Sequence, residues 1–137
     1  MASHQHDGKM TTVSLVFAII TMILAPIIPQ DLLKITFACF LGLMGGIYPG
    51  VCLSQKHDSI TVLLEMIAGT LTMVFGILGL YLQNANWICF GLVFHGCWDM
   101  SHDLFSSVLT TKIPHWYIPF CLWYDLIVGS YLYFFVF

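Results

Sequence analysis

The chain has 137 residues, a hydrophobic fraction of 59%, a charged fraction of 8% and a mean hydropathy of +0.90. A soluble fold this small leaves too much surface in water to hide that much apolar material, so the composition speaks against a water-soluble domain and for an all-α integral membrane bundle. Net charge is −3, with four lysines and no arginine, which excludes the basic stripe that a nucleic-acid partner needs.

Residues 1–10 are polar and read as a tail ahead of a single transmembrane helical domain, 11–137. A helix needs about 20 apolar residues to cross hydrocarbon. About five segments meet that length: Thr11–Ile28, Leu32–Ser54, Ile60–Leu82, Asn86 to about Ser107, and the stretch after Pro114 to Phe137. Ala25-Pro26-Ile27 makes a poor signal-peptidase site, so the first segment is expected to be retained. The links between segments are short, which forces neighbouring helices antiparallel in an up-down bundle. Lys9, Lys56 and Lys112 then fall on the N-terminal side and Lys34 on the other, an asymmetry that predicts a cytoplasmic N-terminus. The five cysteines show no C-x-x-C spacing and read as small buried hydrophobes.

The second segment carries Ala38, Gly42, Gly46 and Gly50 at steps of four. Such a stripe lets another helix approach closely, and its expected use is packing inside the bundle, with a homo-oligomer seam as the alternative. The third has one charge, Glu65. Thr61, Ala68, Gly69, Thr72 and Gly76 share its helical face, so that face is expected to look inward.

The fourth segment holds the main signal, His95-Gly-Cys-Trp-Asp99-Met-Ser-His102-Asp103. Ionisable groups in hydrocarbon are costly and usually functional. At about 100° per residue, Asp99, His102 and Asp103 lie roughly 40°, 20° and 80° from His95, which places all four on one stripe. Alternating helix direction brings Glu65, His115 and Asp125 to the same half of the membrane. Asp99, Asp125, Glu65 and His115 are therefore the candidate catalytic groups. His95, Asp99, His102 and Asp103 are the candidate ligands of a divalent metal such as zinc or iron, since imidazole and carboxylate suit such ions. Trp98, Trp123 and Tyr124, beside or near these acids, are candidates for a substrate pocket.

Three chemistries fit this set: metal-dependent catalysis, acid–base catalysis by carboxyls, and proton relay. The plainer alternative is that His–Asp pairs only tie helices together. The leading expectation is an intramembrane isomerase, cyclase or hydrolase acting on a lipid-soluble small molecule within membrane lipid. An accessory subunit of a larger membrane complex, or a small proton-coupled carrier, is the alternative.

The run His95, Trp98, Asp99, His102, followed by Trp116, Tyr117, Cys121 and Asp125, resembles a group of small uncharacterised microbial membrane proteins. These carry an H-x-x-W-D-x-x-H-H-like motif and then W-Y-x-x-x-C-x-x-x-D. The resemblance covers about the last third of the chain and implies a site without implying a reaction. Asp103 stands where those proteins have a second histidine.

Overall fold

The computed structural model describes residues 2–55, 57–114 and 116–137, with residues 2–7 by backbone alone. Among the described residues there are five helices and no strand: α1 (Ala2–Leu24), α2 (Gln30–Ser54), α3 (Ser59–Tyr81), α4 (Asn86–Leu104) and α5 (Tyr117–Tyr131). A single π-helical turn, Leu132–Val136, closes the chain. The polar segment expected to be a tail instead continues α1 back to Ala2. Helix α4 ends at Leu104, three residues before the expected boundary, and a turn at 105–108 and irregular chain follow to Pro114.

Three helical runs are long and apolar enough to cross a membrane: Gln30–Ser54, Ser59–Tyr81 and Tyr117–Val136. Gly8–Leu24 is apolar but shorter. In α4 the histidines and aspartates dilute the apolar run. The burial pattern is inverted relative to a soluble fold. Leu43, Ile77 and Phe134 are exposed, while Glu65, Asp99 and Asp125 are completely buried. A continuous apolar exterior of this kind is unsuited to water.

Helix α4 is central and packs on α2, α3 and α5, while α1 packs along α5. Two side chains fasten α1 two helical turns apart. The Ser14 hydroxyl donates to the Phe120 carbonyl at 2.7 Å, and Thr21 Oγ1 lies 3.0 Å from the Tyr124 hydroxyl. Between α1 and α2 lies an apolar groove of about 590 Å³, lined by Leu24, Ile28, Phe37, Phe40, Leu43 and Tyr124 among others.

Glycines set the closest helix approaches. A Cβ on Gly45 of α2 would lie 2.5 Å from the Gly69 carbonyl of α3, and one on Gly69 would collide with the Gly45 carbonyl. Pro49 adds to this contact. Its missing N–H leaves the Gly45 carbonyl without its usual intrahelical donor, and its ring packs on Gly69. The inward face of α3 is as expected: Thr61, Glu65, Ala68, Gly69, Thr72 and Gly76 are all buried. The expected internal role of the α2 stripe is corrected. Ala38 does pack on Gly76, but a Cβ on Gly42, Gly46 or Gly50 would meet nothing within 4 Å. The helix–helix seam uses Gly45 and its neighbours, about 100° around the helix from Gly46, so the stripe faces outward.

Candidate functional site

The polar groups gather toward the end of the bundle where α2 joins α3 and α4 joins α5. They form two sets rather than one.

The first set is His95 and Asp99 of α4 with Asp125 of α5. His95 Nδ1 lies 2.8 Å from Asp125 Oδ2 and 3.5 Å from Asp99 Oδ2. All three residues are at most 1% exposed. Gly96 makes this possible, because a Cβ there would press on Asp125 Cβ at 3.3 Å and on the Leu122 carbonyl. Asp99 Oδ1 accepts a 2.5 Å hydrogen bond from the Tyr48 hydroxyl of α2. Three buried atoms are left without a hydrogen-bond partner: His95 Nε2, Asp99 Oδ2 and Asp125 Oδ1. Thr111 Oγ1 and the Tyr117 hydroxyl, near the same end of the bundle, are likewise buried without a protein partner, and buried polar atoms usually find one.

One ligand atom from each of His95, Asp99 and Asp125 lies within 4.8 Å of the others, a spacing that could hold a metal ion. Zinc bonds of about 2.0–2.2 Å in tetrahedral geometry place neighbouring ligand atoms about 3.3 Å apart. The 2.8 and 3.5 Å separations around His95 Nδ1 bracket that value.

The second set is Glu65 of α3 with His102 and Trp98 of α4. His102 Nε2 lies 2.9 Å from Glu65 Oε1, and the Trp98 indole N–H donates to Glu65 Oε2 at 3.1 Å. His102 Nδ1 lies 3.1 Å from the Trp98 carbonyl one turn back. A carbonyl only accepts, so Nδ1 carries a hydrogen, and Nε2 and Oε1 share one further proton. Every polar atom here has a partner.

Tyr48 stands between the two sets. Its hydroxyl holds Asp99, and its ring stacks on His102 with centroids 4.3 Å apart. The Gly45–Gly69 contact positions it, because Tyr48 lies about one turn along α2 from Gly45 and Glu65 about one turn along α3 from Gly69. The motif pattern held no sign of Tyr48. A tyrosine beside a helix proline reads as a bend, and only the glycine contact across the interface turns it inward.

Several expectations are corrected by this geometry. His102 is not beside His95 and Asp99 as a ligand; it is taken up by Glu65. Asp103 is exposed, because it falls on the outer edge of the α4 stripe. Asp125 completes the set in their place. Glu65 is a partner of His102 and Trp98 rather than a free acid. Trp123 is 44% exposed and lines no polar site. Trp98 serves Glu65. The third pocket candidate, Tyr124, needs no such correction, since it lines the groove between α1 and α2. His115 lies outside the described residues.

A family model described as a family of unknown function (DUF6010) matches residues 9–136, nearly the whole chain. The chain belongs to the DUF6010 family. No curated protein and no solved structure matches it. Within this DUF6010 chain, the two polar sets and Tyr48 lie inside the matched region, as do all five helices apart from the first residues of α1.

Proposed function

We propose that this DUF6010 protein is a multi-pass membrane enzyme with a divalent-metal centre at His95, Asp99 and Asp125, acting on a lipid-soluble substrate. In this reading all five helices lie in the bilayer, the N-terminus is cytoplasmic, and the polar sets occupy the cytoplasmic half. The observation that carries it is that one ligand atom from each of three fully buried residues, on two helices, lies within 4.8 Å of the others. Three protein ligands with a position left open is the pattern of catalytic rather than structural zinc. A metal bound there would supply Lewis acidity and an activated water. Tyr48 would orient Asp99 through its hydroxyl, as outer partners of metal ligands commonly do.

The groove between α1 and α2 supports the lipophilic part of the reading. Its wall reaches α5 at Tyr124, next in sequence to Asp125, and its lining is almost wholly aliphatic or aromatic. An acyl or isoprenoid chain would fit such a lining.

Elemental analysis of the purified protein is the test. The wild type should carry close to one equivalent of zinc, iron or manganese, and Asp125→Asn should carry almost none. Metal-free wild type that also fails to take up added zinc or iron would overturn the metal centre.

The alternative of an accessory subunit draws on the outward row Gly42, Gly46 and Gly50, which offers a close-packing face to a second copy or another subunit. A monomeric, metal-loaded particle in mild detergent would count against it.

A further inference from the structure

The segment between α4 and α5 is built as a cover. From Val108 to Pro114 its residues alternate. Leu109 and Thr111 are buried and Ile113 is half-buried, while Val108, Thr110, Lys112 and Pro114 are exposed. The segment leaves α4 through a turn (Leu109 N–H to the Phe105 carbonyl, 2.9 Å), turns tightly again at Thr111–Ile113 (3.1 Å), and sets Leu109, Thr111 and Ile113 against the bundle. The inward side chains close the polar end of the bundle. Ile113 packs on Tyr48, Tyr117 and Cys121, and Thr111 lies against Glu65.

The outward edge is fastened to the α2–α3 connection. The Gln55 side chain donates to the Lys112 carbonyl at 3.1 Å and accepts from the Lys112 N–H at 3.1 Å. This is the exchange that a neighbouring strand would make. His57 bridges Gln55 Oε1 at 2.9 Å and Thr110 Oγ1 at 3.0 Å. The Thr61 hydroxyl, which donates to Asp58, also sits 2.9 Å from the Val108 carbonyl. The bonds of Gln55 and His57 to the strap are exposed, where water can replace them, whereas those of the buried sets cannot be exchanged so easily.

Beneath the strap, polar side chains descend by helical turns. On α3 they are Thr61 and then Glu65. On α4 they are His102, Asp99 and His95. On α5 they are Tyr117, Cys121 and Asp125. These buried side chains on three helices set polar groups at successive depths between the strap and the triad. The exposed faces of α2, α3 and α5 are mainly apolar, with residues such as Leu43, Ile77 and Trp123 outermost.

We infer that the strap Phe105–Pro114 is a door, latched by Gln55 and His57, through which a hydrated divalent cation and water reach the triad from the aqueous end of the bundle. The door itself rests on the geometry above; the identity of its cargo rests on the metal reading of His95, Asp99 and Asp125.

The test uses Gln55→Ala and, loosening the same latch from the strap's side, Thr110→Val, neither of which touches the triad. Gln55→Ala removes both hydrogen bonds to Lys112 and should raise the open population roughly 5- to 30-fold, and Thr110→Val, which removes the one with His57, should raise it by less. Two measurements read it. The first is the rate of zinc loading and release in the full-length protein, with both rates rising by the factor expected of each variant and the dissociation constant unchanged within about twofold. The second needs no metal: modification of Cys121, under the strap, by a charged thiol reagent. It is done on nanodisc-embedded protein carrying Cys39→Ser, Cys52→Ala, Cys89→Ala and Cys97→Ser. Labelling should accelerate in both latch variants, and more in Gln55→Ala than in Thr110→Val.

Unchanged labelling in folded latch variants would overturn the door. So would acceleration seen only with a neutral, lipid-soluble reagent, which would mean entry from the bilayer. Accelerated labelling in a protein that binds no metal would support the door and defeat the metal reading instead.

Discussion

The triad and the Glu65–His102 pair use the same residue types, share helix α4 and sit within one tyrosine of each other, yet they end in opposite states. Within the Glu65, His102 and Trp98 set every side-chain donor and acceptor is matched, including the indole of Trp98 and the carbonyl behind His102. Around His95 three atoms stay unmatched although they are more deeply buried than the His102 side. A closed hydrogen-bond set specifies how helices dock and asks for nothing more. An open one has bonding capacity to spare for a ligand. The contrast teaches that histidine and carboxylate on one helix face can end in either state, and that leftover bonding capacity is what separates a candidate ligand site from a helix-docking contact.

The comparison breaks most sharply at Glu65. Glu65→Ala leaves His102 and the Trp98 N–H buried without partners, and removing one member of a buried pair costs about 3–5 kcal/mol. Thermal unfolding in detergent should show that loss, with bound metal retained in whatever fraction stays folded. Asp125→Asn should do the reverse, removing metal while costing the metal-free protein far less stability.

Gly69→Ala attacks the α2–α3 seam that brings Tyr48 and Glu65 together. Overpacking of this kind costs about 1–3 kcal/mol. Because the added carbon faces backbone rather than a flexible side chain, the upper end is expected, measured as a fall in Tm.

Tyr48→Phe sharpens the comparison from between the two sets. The ring can keep its stack on His102, so the pair should survive, while Asp99 loses its orienting donor. Metal affinity should drop about 10- to 100-fold, read by competition with a chelator, with Tm changed far less than in Glu65→Ala.

The smallest effect is at the edge of the site. Asp58 caps α3 and its carboxyl is held below the usual 3.8 by the Thr61 hydroxyl. A carboxyl lowered in the folded state adds stability above its unfolded value and loses it as pH falls through the lower folded one. Wild type should therefore lose more stability than Asp58→Asn as pH drops below 3.8. Parallel melting curves at pH 6 and at acid pH would check this, and the metal content of the triad should not respond to the substitution at neutral pH.

Much of the architecture could be read along the chain. The apolar runs mark five helices because backbone in an apolar setting must satisfy its own hydrogen bonds, and the period of small residues around Glu65 marks the inner face of α3. The candidate site was half legible. His95 and Asp99 share a helix face by spacing alone, and alternating helix direction brings Asp125 to the same depth. The assignments of His102, Asp103 and Glu65 were not legible in that way. A step of seven or eight residues places a side chain on a stripe but does not say which neighbour meets it. Tyr48 gave no signal, because its role depends on Gly45 and Gly69 touching across an interface. The strap is silent in the sequence for a related reason: Leu109, Thr111 and Ile113 alternate over too few residues to stand out from a polar link.

The sequence by itself thus determined the helices, their alternating direction, and the gathering of ionisable groups at one end, because hydropathy and periodicity act locally. Tertiary structure alone decided which of those groups close on each other and which stay open. That choice is made by distances of a few tenths of an ångström between helices, set by glycines at the contacts, and no pattern within a single helix contains them.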